Sequence, residues 1–192
     1  MSLDFYRRHA ARLSRQYNEQ APERVHASWL RYLPVQPGRA LDVGAGSGRD
    51  AAWLASLGWQ VQAIEPVAAL REAEPLAAGL AIDWCDDTLP QLSSQAGQES
   101  GYDLILASAV WMHLPPAEQT QALSRLQQLL APTGNLVISW RNQADETERR
   151  FYPVDTAQFG EGVLLSSDDK YGRDGVVWRY VVMGPTGEGG VQ

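Results

Sequence analysis

Cysteine and lysine are almost absent from this chain of 192 residues. Cys85 is the only cysteine, and Lys170 is the only lysine among 16 basic residues. A single cysteine excludes an intramolecular disulfide and a cysteine-rich zinc site. Because Cys85 lies at the end of a predicted strand, we interpret it as an inert buried thiol. The preference for arginine over lysine by itself indicates no function.

Long apolar runs and an excess of positive charge are also missing. No stretch approaches the roughly 18 apolar residues of a membrane-spanning helix. Residues 1–13 contain three arginines but no apolar run after them, which is unlike a signal peptide. The net charge of −7 argues against a dedicated nucleic-acid binder. We therefore expect a cytoplasmic protein that binds neither DNA nor a membrane.

The size and the pattern of the chain predict one α/β domain. Apolar residues make up 44% of the chain, enough for a full hydrophobic core. Strands and helices alternate, which is typical of a parallel sheet covered by helices on both faces. The predicted parts are a helical cap (1–37), a core (38–141), a hairpin and substrate region (142–183) and a flexible tail (184–192). Strands are predicted over 40–43, 61–64, 80–84, 102–108 and 136–140, and helices over 3–20, from Pro22, and over 47–57, 67–74 and 116–131.

Two further predictions concern the end of the core and the last quarter of the chain. Residues 132–135 (Pro-Thr-Gly-Asn) predict a turn before the fifth strand. Residues 163–166 and 176–183 predict an antiparallel hairpin at the edge of the sheet. An exposed apolar edge over 176–182 could pair with a second copy, so a homodimer is an alternative to a monomer.

The most informative segment is Leu-Asp-Val-Gly-Ala-Gly-Ser-Gly-Arg-Asp at positions 41–50. Glycines between a strand and a helix allow a ligand to approach the backbone closely. A dinucleotide fingerprint is G-x-G-x-x-G, whereas here the third glycine comes one position early and Arg49 takes the last place. Asp42 precedes the first glycine by two residues. A negative charge there suits a cationic ligand, such as a sulfonium or an amino group, better than a pyrophosphate.

Together with the segments that follow, this motif resembles the class I methyltransferases that use S-adenosylmethionine (SAM). Ile64-Glu65-Pro66 ends the second predicted strand, and the resemblance implies that Glu65 holds the ribose hydroxyls. Asp86 and Asp87 follow the third strand, and the resemblance implies that one of them, Asp86 first, holds the adenine amino group. It also implies a Rossmann-like three-layer sandwich with a mostly parallel seven-stranded sheet and an antiparallel C-terminal hairpin. The implied cofactor-binding residues are Asp42, Gly44, Ala45, Gly46, Gly48, Glu65, Pro66, Asp86, Asp87, Ser108 and Tyr17.

Four side chains are candidates for the acceptor side of the cleft. His113 follows the fourth strand and could take a proton at neutral pH, or it could cap the next helix. Trp111 could wall the substrate pocket or belong to the core. Arg141 could hold an acceptor carboxylate, or it could pair on the surface with Asp145 or Glu148. The resemblance implies that an aromatic residue of the first helix, here Tyr17, closes over the cofactor.

The sequence favours a small-molecule acceptor. The exit of the fourth strand lacks the motif of amino-methylating DNA enzymes, and no basic stripe is present. A protein or tRNA acceptor is the weaker alternative. Two other classes stay open: a SAM-binding regulatory module without catalysis, and a nucleotide-dependent oxidoreductase, which Arg49 in the fingerprint disfavours. We expect methyl transfer by in-line displacement, with S-adenosylhomocysteine (SAH) as product and no metal.

Overall fold

The computed structural model describes residues 3–72, 79–142, 148–169 and 173–185. The helices are α1 (Asp4–Asn18), α2 (Pro22–His26), α3 (Arg49–Ser56), α4 (Ala68–Arg71) and α5 (Pro116–Leu129). The strands are β1 (Arg39–Val43), β2 (Gln60–Ile64), β3 (Ile82–Cys85), β4 (Tyr102–Ala107), β5 (Leu130–Arg141), β6 (Val163–Asp168) and β7 (Val177–Met183). Among the described residues, no helix is both long and apolar enough to cross a membrane.

The seven strands form one sheet in the order β3-β2-β1-β4-β5-β7-β6. The strands from β1 to β5 pair in parallel, and β7 pairs antiparallel with both β5 and β6. The predicted three-layer α/β fold with a C-terminal hairpin is therefore confirmed. This order brings the carboxyl ends of β1, β2, β4 and β5 to one edge, where ligands bind in open α/β sheets.

Both faces of the sheet are buried. Leu104 and Leu106 of β4 face a cluster that contains Trp29 and Trp53, whereas Ile105 and Ala107 face a cluster built on α5. Because strand side chains alternate between faces, a strand covered on both sides must be apolar throughout. This explains why the run of residues 102–107 predicts β4 so clearly.

The apolar edge predicted over residues 176–182 is wrong. β7 lies between β5 and β6, and the side chains of Val181 and Val182 are buried. The edge strand is β6, on which every second residue is exposed. Valines in this hairpin therefore fill the core, and β7 presents no free edge to a second copy.

Two predicted elements change form. The turn predicted over 132–135 is a bulge inside β5, since pairing with β4 jumps from Tyr102–Leu130 to Leu104–Asn135. The backbone there is pressed against β4, because a Cβ on Gly134 would lie 2.6 Å from the Tyr102 carbonyl oxygen. The helix predicted from Pro22 ends at His26, and a 3-10 turn follows. Two predictions lie outside the described residues: the end of α4 at Glu74, before Pro75, and the part of the flexible tail from 186 to 192.

Candidate active site

A cleft of about 350 Å³ opens at the carboxyl edge of the parallel strands. Its volume is within the range of small-molecule sites. The first turns after β1 and β2 form one half, which we call the cofactor half. The exits of β4 and β5, the N-terminal part of α1 and Arg149 form the other, which we call the acceptor half. Both halves belong to one continuous cavity.

The glycine loop after β1 is fixed to its neighbours through its backbone. The N–H groups of Gly44 and Ala45 donate to the carbonyl oxygen of Ile64, at 2.8 and 3.0 Å. Gly44 has a φ of +73°, and a Cβ there would lie 2.4 Å from Cγ2 of Val110. Only glycine accommodates both the left-handed backbone and this close approach. Gly44, Ala45 and Gly46 line the cleft, whereas Gly48 packs behind it against the Trp84 ring.

Glu65 connects β2 to this loop. Its carboxylate accepts the N–H of Gly46 at 2.9 Å and the N–H of Val67 at 2.8 Å, one on each oxygen. Burial raises the pKa of Glu65 above its usual value. A carboxylate offers about four acceptor sites, so each oxygen can still accept a hydroxyl donor. Glu65 and the adjacent Pro66 line the cleft where the sequence predicts a ribose contact.

Asp42 is a buried carboxyl at the bottom of the cofactor half. Its side chain is 1% exposed, and within the described residues its Oδ2 atom has no hydrogen-bond partner. Burial, reinforced by the negative charge of Asp50, raises the pKa of Asp42 well above its ordinary value. A buried polar atom without a partner is costly, so a ligand that donates a hydrogen bond would stabilise it. The amino group expected of the cofactor fits this requirement.

Behind Asp42 lies an ionic cluster that the sequence motif does not reveal. Arg49 holds both oxygens of Asp50, at 2.7 and 2.9 Å, and Nε2 of His26 lies 3.0 Å from Oδ1 of Asp50. Burial alone would raise the pKa of Asp50, but His26 and Arg49 lower it below its usual range. Asp50 therefore stays charged, and its charge disfavours ionisation of Asp42.

The two acids after β3 are placed in the reverse of the predicted order of preference. Asp86, the first choice, has a side chain 68% exposed that lies 3.5 Å from Arg71. Asp87 lines the cleft and accepts the N–H groups of Thr88 and Ser94, both at 2.7 Å. Side chains of successive residues point in different directions in extended backbone, so a one-residue difference decides which acid reaches the cleft.

The first helix lies over the cofactor half, as the resemblance implies for Tyr17. Tyr17 lines the cleft, and its ring carbons lie 3.8 Å from the position of a Cβ on Gly46. The next residue, Asn18, accepts a hydrogen bond from the Ser47 hydroxyl at 2.7 Å. The glycine loop is thus covered by α1 and joined to it.

The exit of β4 is held in an unusual backbone conformation. Ala109 has a φ of +60°, and its N–H donates to the Ser139 hydroxyl of β5 at 2.9 Å. A non-glycine residue in this region costs about 1–3 kcal/mol and is typical of ligand sites. Ser108, Ala109 and Ser139 all line the cleft, so the predicted residue Ser108 belongs to its wall at the exit of β4.

His113 lies in the acceptor half beside Tyr6. Its Nε2 atom is 2.8 Å from the Tyr6 hydroxyl, and its ring meets the Phe151 ring edge to face. Burial, with the positive charge of Arg149, lowers the pKa of His113 to about 4, although a hydrogen bond with the Arg150 backbone opposes the shift. A base works best with a pKa near the operating pH. His113 is therefore neutral and weakly basic at pH 7, with Nε2 already engaged by Tyr6.

Arg141 ends β5 inside the acceptor half. Its side chain is buried, and its guanidinium carbon lies 4.7 Å from the centre of the Phe151 ring. Arg149 lies on the same ring at 5.8 Å and on Phe5 at 5.0 Å. The sequence alternative for Arg141 is a salt bridge with Asp145 or Glu148. Of the two suggested partners, Asp145 lies outside the described residues, and Glu148 pairs with Arg8.

Trp111 is a core residue, so of its two predicted alternatives the place in the pocket wall is wrong. Its side chain is fully buried, its ring packs 6.0 Å from that of Phe159, and it is not part of the cleft lining. A large apolar ring gains more from full burial than from a half-exposed wall. The acceptor half is instead lined by Phe5, Tyr6 and Arg149, which the sequence analysis did not single out. The only signal for Arg149 is its place in the segment after the fifth strand.

Comparisons with known proteins agree with this geometry. A family model described as "Methyltransferase domain" matches residues 17–180. The crystal structure of 1,6-didemethyltoxoflavin-N1-methyltransferase from Burkholderia thailandensis, with bound 1,6-didemethyltoxoflavin and SAH, is 25% identical. It has a TM-score of 0.62 and covers 90% of this chain and 76% of its own. Phosphoethanolamine N-methyltransferase 2 of Haemonchus contortus, with SAM, shares the fold at 14% identity and a TM-score of 0.60, over 84% of this chain and 52% of its own.

One group of curated relatives is named for a protein acceptor. The protein-L-isoaspartate O-methyltransferase of Methylorubrum extorquens (strain PA1) is 40% identical over 117 residues, which is 59% of this chain and 47% of that relative. The chain spans about half the length of the curated relatives it matches. The similarity therefore concerns part of each relative.

Proposed function

The chain belongs to the class I SAM-dependent methyltransferases, and we propose that it transfers the methyl group of SAM to a small-molecule acceptor. The observation that supports this most directly is the continuity of the cleft. Its cofactor half contains the glycine loop, Glu65 and the unpaired oxygen of Asp42. Its acceptor half opens from the same cavity, beyond the exit of β4.

The residues of the cofactor half suit the parts of SAM. Glu65 would accept the ribose hydroxyls, Asp87 the adenine amino group and Asp42 the amino group of the methionine part. The backbone from Gly44 to Gly46 would lie along the cofactor, with Tyr17 above it. When bound, SAM supplies a methyl group on a positively charged sulfur, and the sulfur leaves as neutral SAH.

The protein itself contributes by aligning the acceptor atom with the methyl group. An in-line displacement needs the acceptor atom held on the far side of the methyl group, and such positioning supplies about 7–11 kcal/mol in favourable cases. Phe5 and Tyr6 offer flat apolar surfaces for an acceptor, and Arg141 offers charge. Since His113 is weakly basic at pH 7, we propose a positioning role for the Tyr6–His113 pair. An acceptor atom that is nucleophilic without a strong base, such as an amine, thiolate or carboxylate, then fits the site.

The enclosure of the acceptor half favours a small molecule over a macromolecule. The side chains of Phe5, His113 and Arg141 are all buried, and α1 lies across the cleft. The isoaspartate enzymes among the relatives support a second candidate, an isoaspartyl residue of a damaged protein. A SAM-binding module without turnover is the third.

The first experiment is thermal unfolding with SAM, SAH and NAD, followed by calorimetry. A ligand at a hundred times its dissociation constant adds about 2.7 kcal/mol of stability. In a chain of this size that corresponds to about 5–10 °C. We expect shifts with SAM and SAH and none with NAD. A shift with NAD alone would contradict the assignments of Asp42, Glu65 and Asp87 together.

Candidate acceptors are then screened by measuring the release of SAH. Aromatic amines, thiols and carboxylic acids are compared with an isoaspartyl peptide and its aspartyl counterpart. Turnover of a small molecule supports the proposal, whereas selective turnover of the isoaspartyl peptide supports the second candidate. Tight SAH binding with no turnover of any acceptor supports the non-catalytic module.

A further inference from the structure

Two neighbouring carboxyl groups, those of Asp42 and Asp50, line the cleft and are supported in opposite ways. Arg49 donates to both oxygens of Asp50, at 2.7 and 2.9 Å. Nε2 of His26 lies 3.0 Å from Oδ1 of Asp50. That nitrogen carries the ring hydrogen, because Nδ1 of His26 accepts the indole N–H of Trp29 at 3.2 Å. N–H groups of two side chains therefore surround Asp50, which favours its charged form.

Asp42 has much less support for a negative charge. It is fully buried, and the backbone of Ala51 donates one hydrogen bond to it. Within the described residues its Oδ2 atom has no hydrogen-bond partner. Two buried carboxyl groups side by side cannot both ionise at low cost, because like charges repel strongly away from water. Since Asp50 is the one held in its charged form, the empty cleft favours the neutral acid at Asp42.

Other charged groups around Asp42 act in both directions. Glu65, at the exit of β2, adds to the repulsion, and Arg49 of α3 opposes it. The remaining acidic and basic side chains of the cleft wall are Arg12, Asp87, His113, Arg141, Arg149 and Arg173. Burial and Asp50 outweigh the opposing groups, since the pKa of Asp42 is raised well above its ordinary value.

We propose that Asp42 carries a proton in the empty cleft and releases it when the amino group of SAM binds. The proton passes from the carboxyl group to solvent, and the ammonium group of the methionine part then donates to Oδ2. The positive charge of the ligand stabilises the carboxylate that Asp50 disfavours. This inference rests on the proposed function, and it adds that affinity for the cofactor falls in acid.

The test is calorimetric titration of SAH in buffers that differ in ionisation enthalpy, between about pH 5 and 7, which counts the protons released. A group that loses its proton on binding weakens the complex below its pKa in the free protein. Each pH unit below that pKa should therefore weaken SAH binding about tenfold. The amino group of SAH stays largely protonated in this range, and the pKa of His113, about 4, lies below it.

The control ligand is 5′-methylthioadenosine, which keeps the adenine, the ribose and the sulfur but lacks the amino acid part. It still meets the acids proposed for the ribose and the adenine, Glu65 and Asp87, so its proton count is subtracted from that of SAH. Equal proton release by the two ligands, or no release by SAH, would overturn the proposal. SAH affinity that rises in acid would also overturn it, because Asp42 would then keep its proton and donate it to the ligand.

Variants locate the proton. Asp42→Asn keeps the shape of the neutral acid but cannot ionise, so SAH should release no more protons than 5′-methylthioadenosine. Unchanged binding of 5′-methylthioadenosine shows that this variant is folded. Asp87→Asn is the matched control, and it should weaken both ligands but keep the release. Proton release that persists in Asp42→Asn would overturn the assignment.

Infrared difference spectra of the wild type give a readout that does not depend on a variant. The carbonyl band of a protonated carboxyl group should disappear when SAH binds, and a band that persists would contradict the proposal. Binding itself separates this inference from the proposed function. If SAH does not bind at any pH, the proposed function fails and the inference with it. If SAH binds equally well throughout and releases no proton, only the proton release is wrong.

Discussion

The two halves of the cleft are built in different ways. In the cofactor half, a side chain binds backbone groups of neighbouring loops, as the Glu65 carboxylate binds the N–H groups of Gly46, 19 positions away, and Val67, two positions away. In the acceptor half, long side chains from distant segments meet, and the Tyr6–His113 contact joins residues 107 positions apart. The first kind of site is specified by a local motif. The second exists only once the whole domain has folded.

This difference has a chemical counterpart. A backbone cradle can recognise only a ligand of fixed shape, which suits a cofactor shared by a whole family. Side chains can be substituted without changing the fold that carries them. This suits acceptors that differ from one family member to another. The following predictions test this contrast, from the largest expected effect to the smallest.

Gly44→Ala should damage the cofactor half most. A Cβ at this position meets Cγ2 of Val110 at 2.4 Å on a backbone with φ +73°. We expect a loss of about 4 kcal/mol in the free energy of unfolding, measured in urea, from strain and overpacking together. Gly97→Ala is the control, since Gly97 has φ +79° and no heavy atom within 4 Å of the new Cβ. Equal losses would show that the contact with Val110 is unimportant.

The acceptor half should lose stability between pH 6.5 and 4. The pKa of His113 is about 4 in the folded chain and about 6.5 in an unfolded one. The unfolded state therefore binds more protons between these values, and stability present above pH 6.5 is lost as the pH falls toward 4. We expect a loss of at most about 3 kcal/mol from this group.

His113→Gln isolates that contribution. The amide can still contact the Tyr6 hydroxyl but does not titrate in this window. The variant should lose less stability than the wild type between pH 6.5 and 4, measured by urea unfolding at each pH. Parallel curves for the two proteins would contradict the buried, neutral state of His113.

Glu65→Ala should weaken the binding of SAH about a hundredfold, because two backbone donors and the ribose hydroxyls lose their acceptor. Calorimetry measures the dissociation constant. Asp86→Ala is the matched control, and because Asp86 is exposed, its effect should stay within about twofold. Similar effects of the two substitutions would return the adenine contact to Asp86 and contradict the placement of Asp87.

Tyr6→Phe should have the smallest effect, about 1 kcal/mol of stability from the loss of the hydroxyl contact with His113. Affinity for SAH should not change, since Tyr6 lies in the acceptor half. Tyr17→Ala, on the same helix but against the glycine loop, should instead weaken SAH. Both are measured by calorimetry and urea unfolding. Loss of SAH affinity in Tyr6→Phe would show that the two halves are not separate.

The contrast between the two halves of the cleft also explains which features of the protein can be predicted from its sequence. The buried strands and the site of Glu65 are predictable because strand, glycine turn and acid follow one another at fixed spacing. The choice between Asp86 and Asp87 depends on the direction of one side chain. Tyr6 and Arg149 gain their roles only through contacts across the fold. Trp111 shows that a residue can adjoin cleft-lining residues in the sequence and still face the core.

Helix α1 spans both halves, with Tyr6 beside His113 near its start and Tyr17 over Gly46 near its end. Its apolar face packs with α4 in a small cluster of its own, apart from the two clusters that cover the sheet. One helix therefore contributes a side chain to each half of the cleft. By thermodynamic reciprocity, whatever factor SAM adds to the affinity for an acceptor, the acceptor must add to the affinity for SAM.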